Sequence, residues 1–124
     1  MLVRMARIMI VDDSDAIRMV LRDILQIGKH ELVAEATNGE EAVKEFIKTS
    51  PDLILLDMAM PKKDGLTALK EIISVRPDAK IIMITASDNH HTMKECISSG
   101  ALAYILKPFN FQEVLKKITE IIES

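Results

Sequence analysis

The sequence predicts an α/β fold, a doubly wound (βα)5 sandwich of three layers with a five-stranded parallel sheet in the middle. Three observations carry this expectation. Five short apolar runs, at residues 8–11, 32–36, 53–56, 81–84 and 103–106, recur along the 124 residues. Most of them lack the polar alternation of a strand wetted on one face, as suits strands of a parallel sheet covered on both sides. Each run is followed by apolar residues at helical spacing, and right-handed crossovers place such helices on one sheet face or the other. The length suits one core rather than two, so a single domain over residues 1–124 is expected.

The first run, Ile8-Met9-Ile10-Val11, ends at Asp12-Asp13. Ser14 then offers an N-cap, and Ile17, Val20, Leu21, Ile24 and Leu25 form one apolar stripe until Gly28 stops the helix. The second run is short and admits Glu35, which suits an edge strand. Asn38 and Gly39 start a helix with Ala42, Val43, Phe46 and Ile47 on one face, ended by Ser50-Pro51. Leu53-Ile54-Leu55-Leu56, bounded by Pro51 and Pro61, reads as the central strand and delivers Asp57 into a loop containing Pro61 and Gly65. Leu66, Leu69, Ile72 and Ile73 mark the next helix, which stops at Arg76-Pro77-Asp78.

Ile81-Ile82-Met83-Ile84 is another buried strand and ends at Thr85. The helix over residues 90–99 has a polar start and only Met93, Cys96 and Ile97 as a stripe, so it is expected to be the most loosely held, with Gly100 as its cap. Ala103-Tyr104-Ile105-Leu106 runs into Lys107-Pro108. Asn110 and Glu113 have the spacing of a capping box, and Val114, Leu115, Ile118, Ile121 and Ile122 give the last helix its buried face.

Composition narrows the function. Sixteen basic against 19 acidic residues give a net charge of −3, with no Lys/Arg block, so nucleic acid is not expected as a direct partner. The lone Cys96 cannot form an internal disulfide and reads as a small, partly buried helix residue. No apolar run is long enough for a signal-peptide core or a membrane span, so a soluble, cytoplasmic protein with no membrane partner is expected. The eight methionines read as core filler, and His90 and His91 as solvated helix residues without ligand spacing.

Ligands of open parallel sheets sit at the carboxyl ends of the strands. Those ends supply Asp12 and Asp13, Asp57, Thr85 and Lys107. Carboxylates converging at a partly dry sheet edge repel by several kcal/mol unless a cation intervenes. A hard ion with few protein ligands fits Mg2+ better than Ca2+. With Mg2+ neutralising a phosphoryl group, Asp57 could attack phosphorus, Lys107 supply a second positive charge and Thr85 a hydroxyl donor.

These residues resemble the receiver domain of two-component response regulators, most of all a stand-alone chemotaxis-type regulator. The likeness runs from Ile8-Met9-Ile10-Val11-Asp12-Asp13 through Asp57-Met58-Ala59-Met60-Pro61 and Ile84-Thr85-Ala86 to Lys107-Pro108-Phe109. The resemblance implies a flavodoxin-like sheet of order 2-1-3-4-5. It implies Asp57 as phosphoacceptor, and Mg2+ bound by Asp13 and Asp57 directly, by Asp12 through water and by the backbone carbonyl of Ala59. It also implies Thr85 and Tyr104 as switch residues, Lys107 as phosphate partner and a cis Lys107-Pro108 bond. The implied partners are a histidine kinase or phosphotransfer protein and a downstream output protein, reached through helix four, strand five and helix five. A monomer or a phosphorylation-dependent dimer is expected, and no enzyme beyond self-catalysed transfer and hydrolysis. Small Ala59, with Ser87 two residues after Thr85, is expected to govern the lifetime of the phosphoaspartate.

The same residues argue against other functions. A flavodoxin-like electron carrier needs a hydroxyl- and Gly-rich phosphate cradle where Asp12-Asp13 stands, and aromatics to sandwich a flavin. A Mg2+-dependent aspartyl phosphatase needs a second acid two residues after its nucleophile, and Ala59 occupies that place. A phosphorylation-independent interaction module would leave the strand-end constellation unused. Taken singly, Asp12-Asp13 could decorate a helix N-terminus, Thr85 end a strand and Tyr104 be a half-buried aromatic. Their shared sheet edge argues for the receiver.

Overall fold

A computed structural model describes residues 4–124. Strands β1 (Arg7–Val11), β2 (Glu31–Ala36), β3 (Leu53–Asp57), β4 (Ile81–Thr85) and β5 (Ala103–Leu106) alternate with helices α1 (Asp15–Ile27), α2 (Gly39–Thr49), α3 (Gly65–Val75), α4 (His90–Ser98) and α5 (Phe111–Glu123). All neighbouring strands pair in parallel, in the order β2-β1-β3-β4-β5. The flavodoxin-like order implied by the resemblance is thus the observed one.

The two-residue period of each strand divides the core in two. Ile8, Ile10, Leu53, Leu55, Ile82, Ile84 and Ile105 pack against Leu21, Ile24 and Leu25 of α1 and Val114, Ile118 and Ile122 of α5. Their alternates Met9, Val11, Ile54, Leu56, Ile81 and Met83 pack against Ala42 and Phe46 of α2, Ala68, Leu69 and Ile72 of α3, and Cys96 of α4. β3 and β4 are buried at every position because both faces are covered. β2, at the edge, is mostly half-exposed and carries Glu35 as expected.

The helix stripes are narrower than spacing alone predicts. Val20, Ile47 and Ile97 stay largely exposed. A helix touches a sheet along a line, so residues beside the i, i+3, i+4 row are left at the margin. Cys96 is fully buried rather than partly, and is the one buried residue of α4. Among the methionines, Met9 and Met83 are core while Met5 and Met19 lie exposed, so core filler describes only part of the set.

Local signals set most boundaries. Ser14, Asn38, Asp64, Asn89 and Asn110 all N-cap their helices through side-chain oxygens. Asn110 accepts from the Glu113 N–H at 2.8 Å. Asn38 makes the same bond to Glu41, whose carboxylate reaches back to the Thr37 N–H at 2.9 Å and holds its own pKa down. After α1 the left-handed residue is Lys29, φ 60°, and not Gly28. Gly28 instead makes room: a Cβ there would collide with Leu115 and crowd His30. His30 is buried, accepts the Ala6 N–H on Nδ1 at 3.0 Å, and has its pKa lowered by burial. His90 and His91 are exposed, as read.

Candidate functional site

All strands run parallel, so their carboxyl ends meet at one edge of the molecule. β1 and β3 bring Asp12, Asp13 and Asp57 together there, with a carboxylate oxygen of each within 4.8 Å of the others. Asp12 and Asp57 are buried, at 1% and 5% exposure, whereas Asp13 is exposed. Thr85 ends β4 and is buried beside them. Lys107 follows β5 and is held in place by its own N–H, which donates to the Thr85 carbonyl at 2.8 Å. The Lys107-Pro108 peptide is cis, as the resemblance implied.

Lys107 Nζ donates to Asp12 Oδ2 at 2.8 Å and to Asp57 Oδ1 at 3.2 Å. Asp12 Oδ1 accepts from the Ser14 N–H at 2.9 Å. Among the described residues, Asp57 Oδ2 has no protein donor and is the free oxygen of the pair. Burial raises the pKa of Asp57, the neighbouring Asp12 charge adds to that, and Lys107 opposes it. Burial disfavours the Lys107 charge, but its bond to Asp12 and the charges of Asp57 and Asp12 outweigh this, so its pKa is raised. Lys107 is therefore a firm cation at neutral pH.

The loop after β3 is built for close approach. A Cβ on Gly65 would overlap the Asp57 carbonyl, and the Gly65 N–H donates to the Met58 carbonyl at 2.7 Å. The start of α3 is thus pressed against the end of β3, with Ala59 exposed beside the acids. The Gly39 N–H donates to the Lys63 carbonyl at 2.9 Å and ties this loop to the start of α2.

Thr85 Oγ1 accepts from the Ser87 N–H at 3.2 Å. Tyr104, half-buried on β5, donates its hydroxyl to the Ser87 carbonyl at 2.8 Å. The two residues expected to switch are therefore joined through Ser87, expected as a lifetime residue. Burial raises the Tyr104 pKa. Tyr104 also lines a groove of about 740 Å³ along α4 with His91, Lys94, Ile97 and Ser98. That groove holds no acid cluster and is separate from the metal-type site.

One neighbour escaped the sequence reading. Arg18, on the first turns of α1, donates to the Asp12 main-chain carbonyl at 2.7 Å and to Glu35 at 3.2 Å. Its signal was present: Glu35 is a charge within the otherwise apolar run at residues 32–36, and such a half-buried charge needs a partner.

The acid cluster offers only oxygen ligands, two of them from buried carboxylates, and this donor set fits a hard divalent cation. Among the described residues no helix is long and apolar enough to cross a membrane.

Comparison with known proteins agrees with this geometry. The chemotaxis protein CheY of Bacillus subtilis is 44% identical over 114 residues, covering 92% of this chain and 95% of that protein. CheY of Thermotoga maritima is 38% identical over 115 residues, covering 93% and 96%. Among solved structures, the CheX–CheY–BeF3–Mg2+ complex of Borrelia burgdorferi superimposes with a TM-score of 0.91 at 32% identity, over 93% of this chain and 87% of that one. A CheY-like receiver domain protein of Methanospirillum hungatei gives 0.90 at 31% identity, over 97% and 95%. Residues 8–119 match the family described as the response regulator receiver domain. The chain belongs to that family and is a CheY-like receiver of two-component signal transduction.

Proposed function

We propose that this single receiver domain takes a phosphoryl group onto Asp57 and reports it through a changed surface. The supporting observation is the meeting of the Asp12, Asp13 and Asp57 oxygens within 4.8 Å, with Lys107 on two of the three acids. When bound, Mg2+ would neutralise the transferring phosphoryl oxygens; Asp13, Asp57 and the Ala59 carbonyl would hold it, with Asp12 acting through water.

Asp57 Oδ2, which accepts from no described protein donor, would be the attacking oxygen. It forms an O–P bond while the N–P bond of a phosphohistidine breaks, the bonding pair stays on the departing imidazole nitrogen, and that nitrogen takes its proton from solvent water. Lys107 then moves its bonds from the carboxylates to the phosphoryl oxygens, and Thr85 donates its hydroxyl to another. Thr85 also accepts from the Ser87 N–H, and Ser87 accepts from Tyr104, so a shift of Thr85 is felt at the Tyr104 ring. The face of α4, β5 and α5 is the readout, and a downstream protein is its reader. The donor is a histidine kinase or a phosphotransfer protein, the setting cytoplasmic, and the active form a monomer or a phosphorylation-dependent dimer.

The receiver is a switch and not a turnover enzyme, since its product is its own altered surface. Exposed Ala59 leaves a path for hydrolytic water, and Ala59→Arg is expected to slow dephosphorylation. The deciding experiment is mass spectrometry after acetyl phosphate and Mg2+. One phosphate adduct is expected on the wild type and none on D57N. An adduct that survives this substitution would remove the assignment.

A further inference from the structure

Arg18 stands outside the residues used by the phosphoryl chemistry, yet its side chain is only 13% exposed, which is uncommon for a cation. Its guanidinium is spread over three acceptors. Nη1 donates to the Asp12 carbonyl at 2.7 Å, Nε to Glu35 Oε1 at 3.2 Å and Nη2 to Asp15. Glu35 is held a second time by Arg22 at 3.2 Å. The Asp12 N–H donates to the Ala36 carbonyl of β2 at 3.1 Å.

Asp12 is thus gripped at both its N–H and its carbonyl. The carbonyl belongs to the peptide plane that joins Asp12 to Asp13, so its orientation sets the course of the chain into Asp13. Asp13 is the exposed member of the acid cluster, so burial does little to aim it. A planar fork can satisfy these acceptors in their separate directions, which a lysine ammonium on a flexible stem does poorly.

We propose that Arg18 is a positioning residue for divalent-cation binding. Anchored to β2 through Glu35, it fixes the Asp12–Asp13 peptide so that the Asp13 carboxylate meets those of Asp12 and Asp57. The inference rests on the Mg2+ reading above. Supporting groups behind metal ligands commonly govern affinity.

Charge alone argues in the opposite direction. Removing a cation near three carboxylates should strengthen Mg2+ binding, whereas loss of positioning should weaken it. The sign of the change therefore separates the two effects.

The test is Mg2+ titration calorimetry on wild type, R18Q, R18K and E35Q, with urea unfolding of each metal-free protein alongside. R18Q is expected to bind Mg2+ about tenfold more weakly. R18K should recover only part of the loss, and E35Q should fall between wild type and R18Q. Unchanged or tighter binding by folded R18Q overturns the proposal, as does a loss of stability with no loss of affinity. If R18Q does not fold, R18K decides, since it keeps the charge and loses only the planar fork: weaker binding supports the proposal and unchanged binding overturns it. A wild type that takes up no Mg2+ removes the metal reading and this inference with it.

Discussion

Asp57 is buried with a second carboxylate beside it, and its raised pKa makes it a source of instability in the metal-free protein. An acid whose folded pKa lies above its unfolded value contributes stability only below that unfolded value, about 3.9. The contribution is lost as pH rises through the folded pKa. Metal-free D57N should therefore be more stable than wild type at pH 7. Urea unfolding across pH should show the gap opening as pH rises from about 4 and then levelling off. His30 has the opposite sign. Its pKa is lowered by burial, so its contribution is present above the unfolded value near 6.5 and is lost as pH falls below it. The loss of unfolding free energy as pH falls below about 6.5 should shrink in His30→Gln. Tyr104 is the only tyrosine and there is no tryptophan, so tyrosine emission after Mg2+ and a phosphodonor reports this ring alone. Tyr104→Phe should keep Asp57 labelling while losing the bond to the Ser87 carbonyl.

Elements differ in how firmly they are held. α4 buries only Cys96, against three positions each in α1 and α5. Hydrogen exchange should accordingly find α4 amides among the fastest of the helical ones. Gly65 is the tightest joint, since a side chain there would enter the Asp57 carbonyl. Gly65→Ala should cost about 1–3 kcal/mol of unfolding free energy and weaken Mg2+ binding, because the loop bearing Ala59 must move. Element type and order were legible because most strands are unbroken apolar runs and Ser14, Asn38 and Asn110 cap where helices begin. Strand-end chemistry was legible for the same reason: a parallel sheet sends all its carboxyl ends one way. Stripe margins such as Val20, Ile47 and Ile97 were not, because spacing along a helix does not say how wide a band the sheet will cover. Nor was Arg18, whose partners lie 6 and 17 residues away on the β1–α1 turn and on β2. Contacts of that kind depend on how elements are placed, which local pattern does not encode.

At the scale of the molecule, the two cores are separated by the sheet and share only its strands. On the proposed reading Mg2+ binding would link them to the site, because the acids follow strands β1 and β3, which both cores grip. Saturating Mg2+ at a hundred times its Kd should raise the unfolding free energy by about 2.7 kcal/mol, and a chelator should abolish the gain. The bonds from Lys107 to Asp12 and Asp57 bear on timing. Lys107 already pairs with Asp12 and Asp57 in the metal-free site, so on the proposed reading it would compete with Mg2+ for Asp57 and hold Asp12 back from the metal's water. On the proposed chemistry, activation would be an exchange of partners: Lys107 would let go of the carboxylates before the phosphoryl group has its counter-charge. A protein whose lysine is removed, as in Lys107→Met, should bind Mg2+ more tightly in calorimetry and yet signal less, because its resting hold on the acids and its grip on the phosphoryl group are the same side chain used at two different moments.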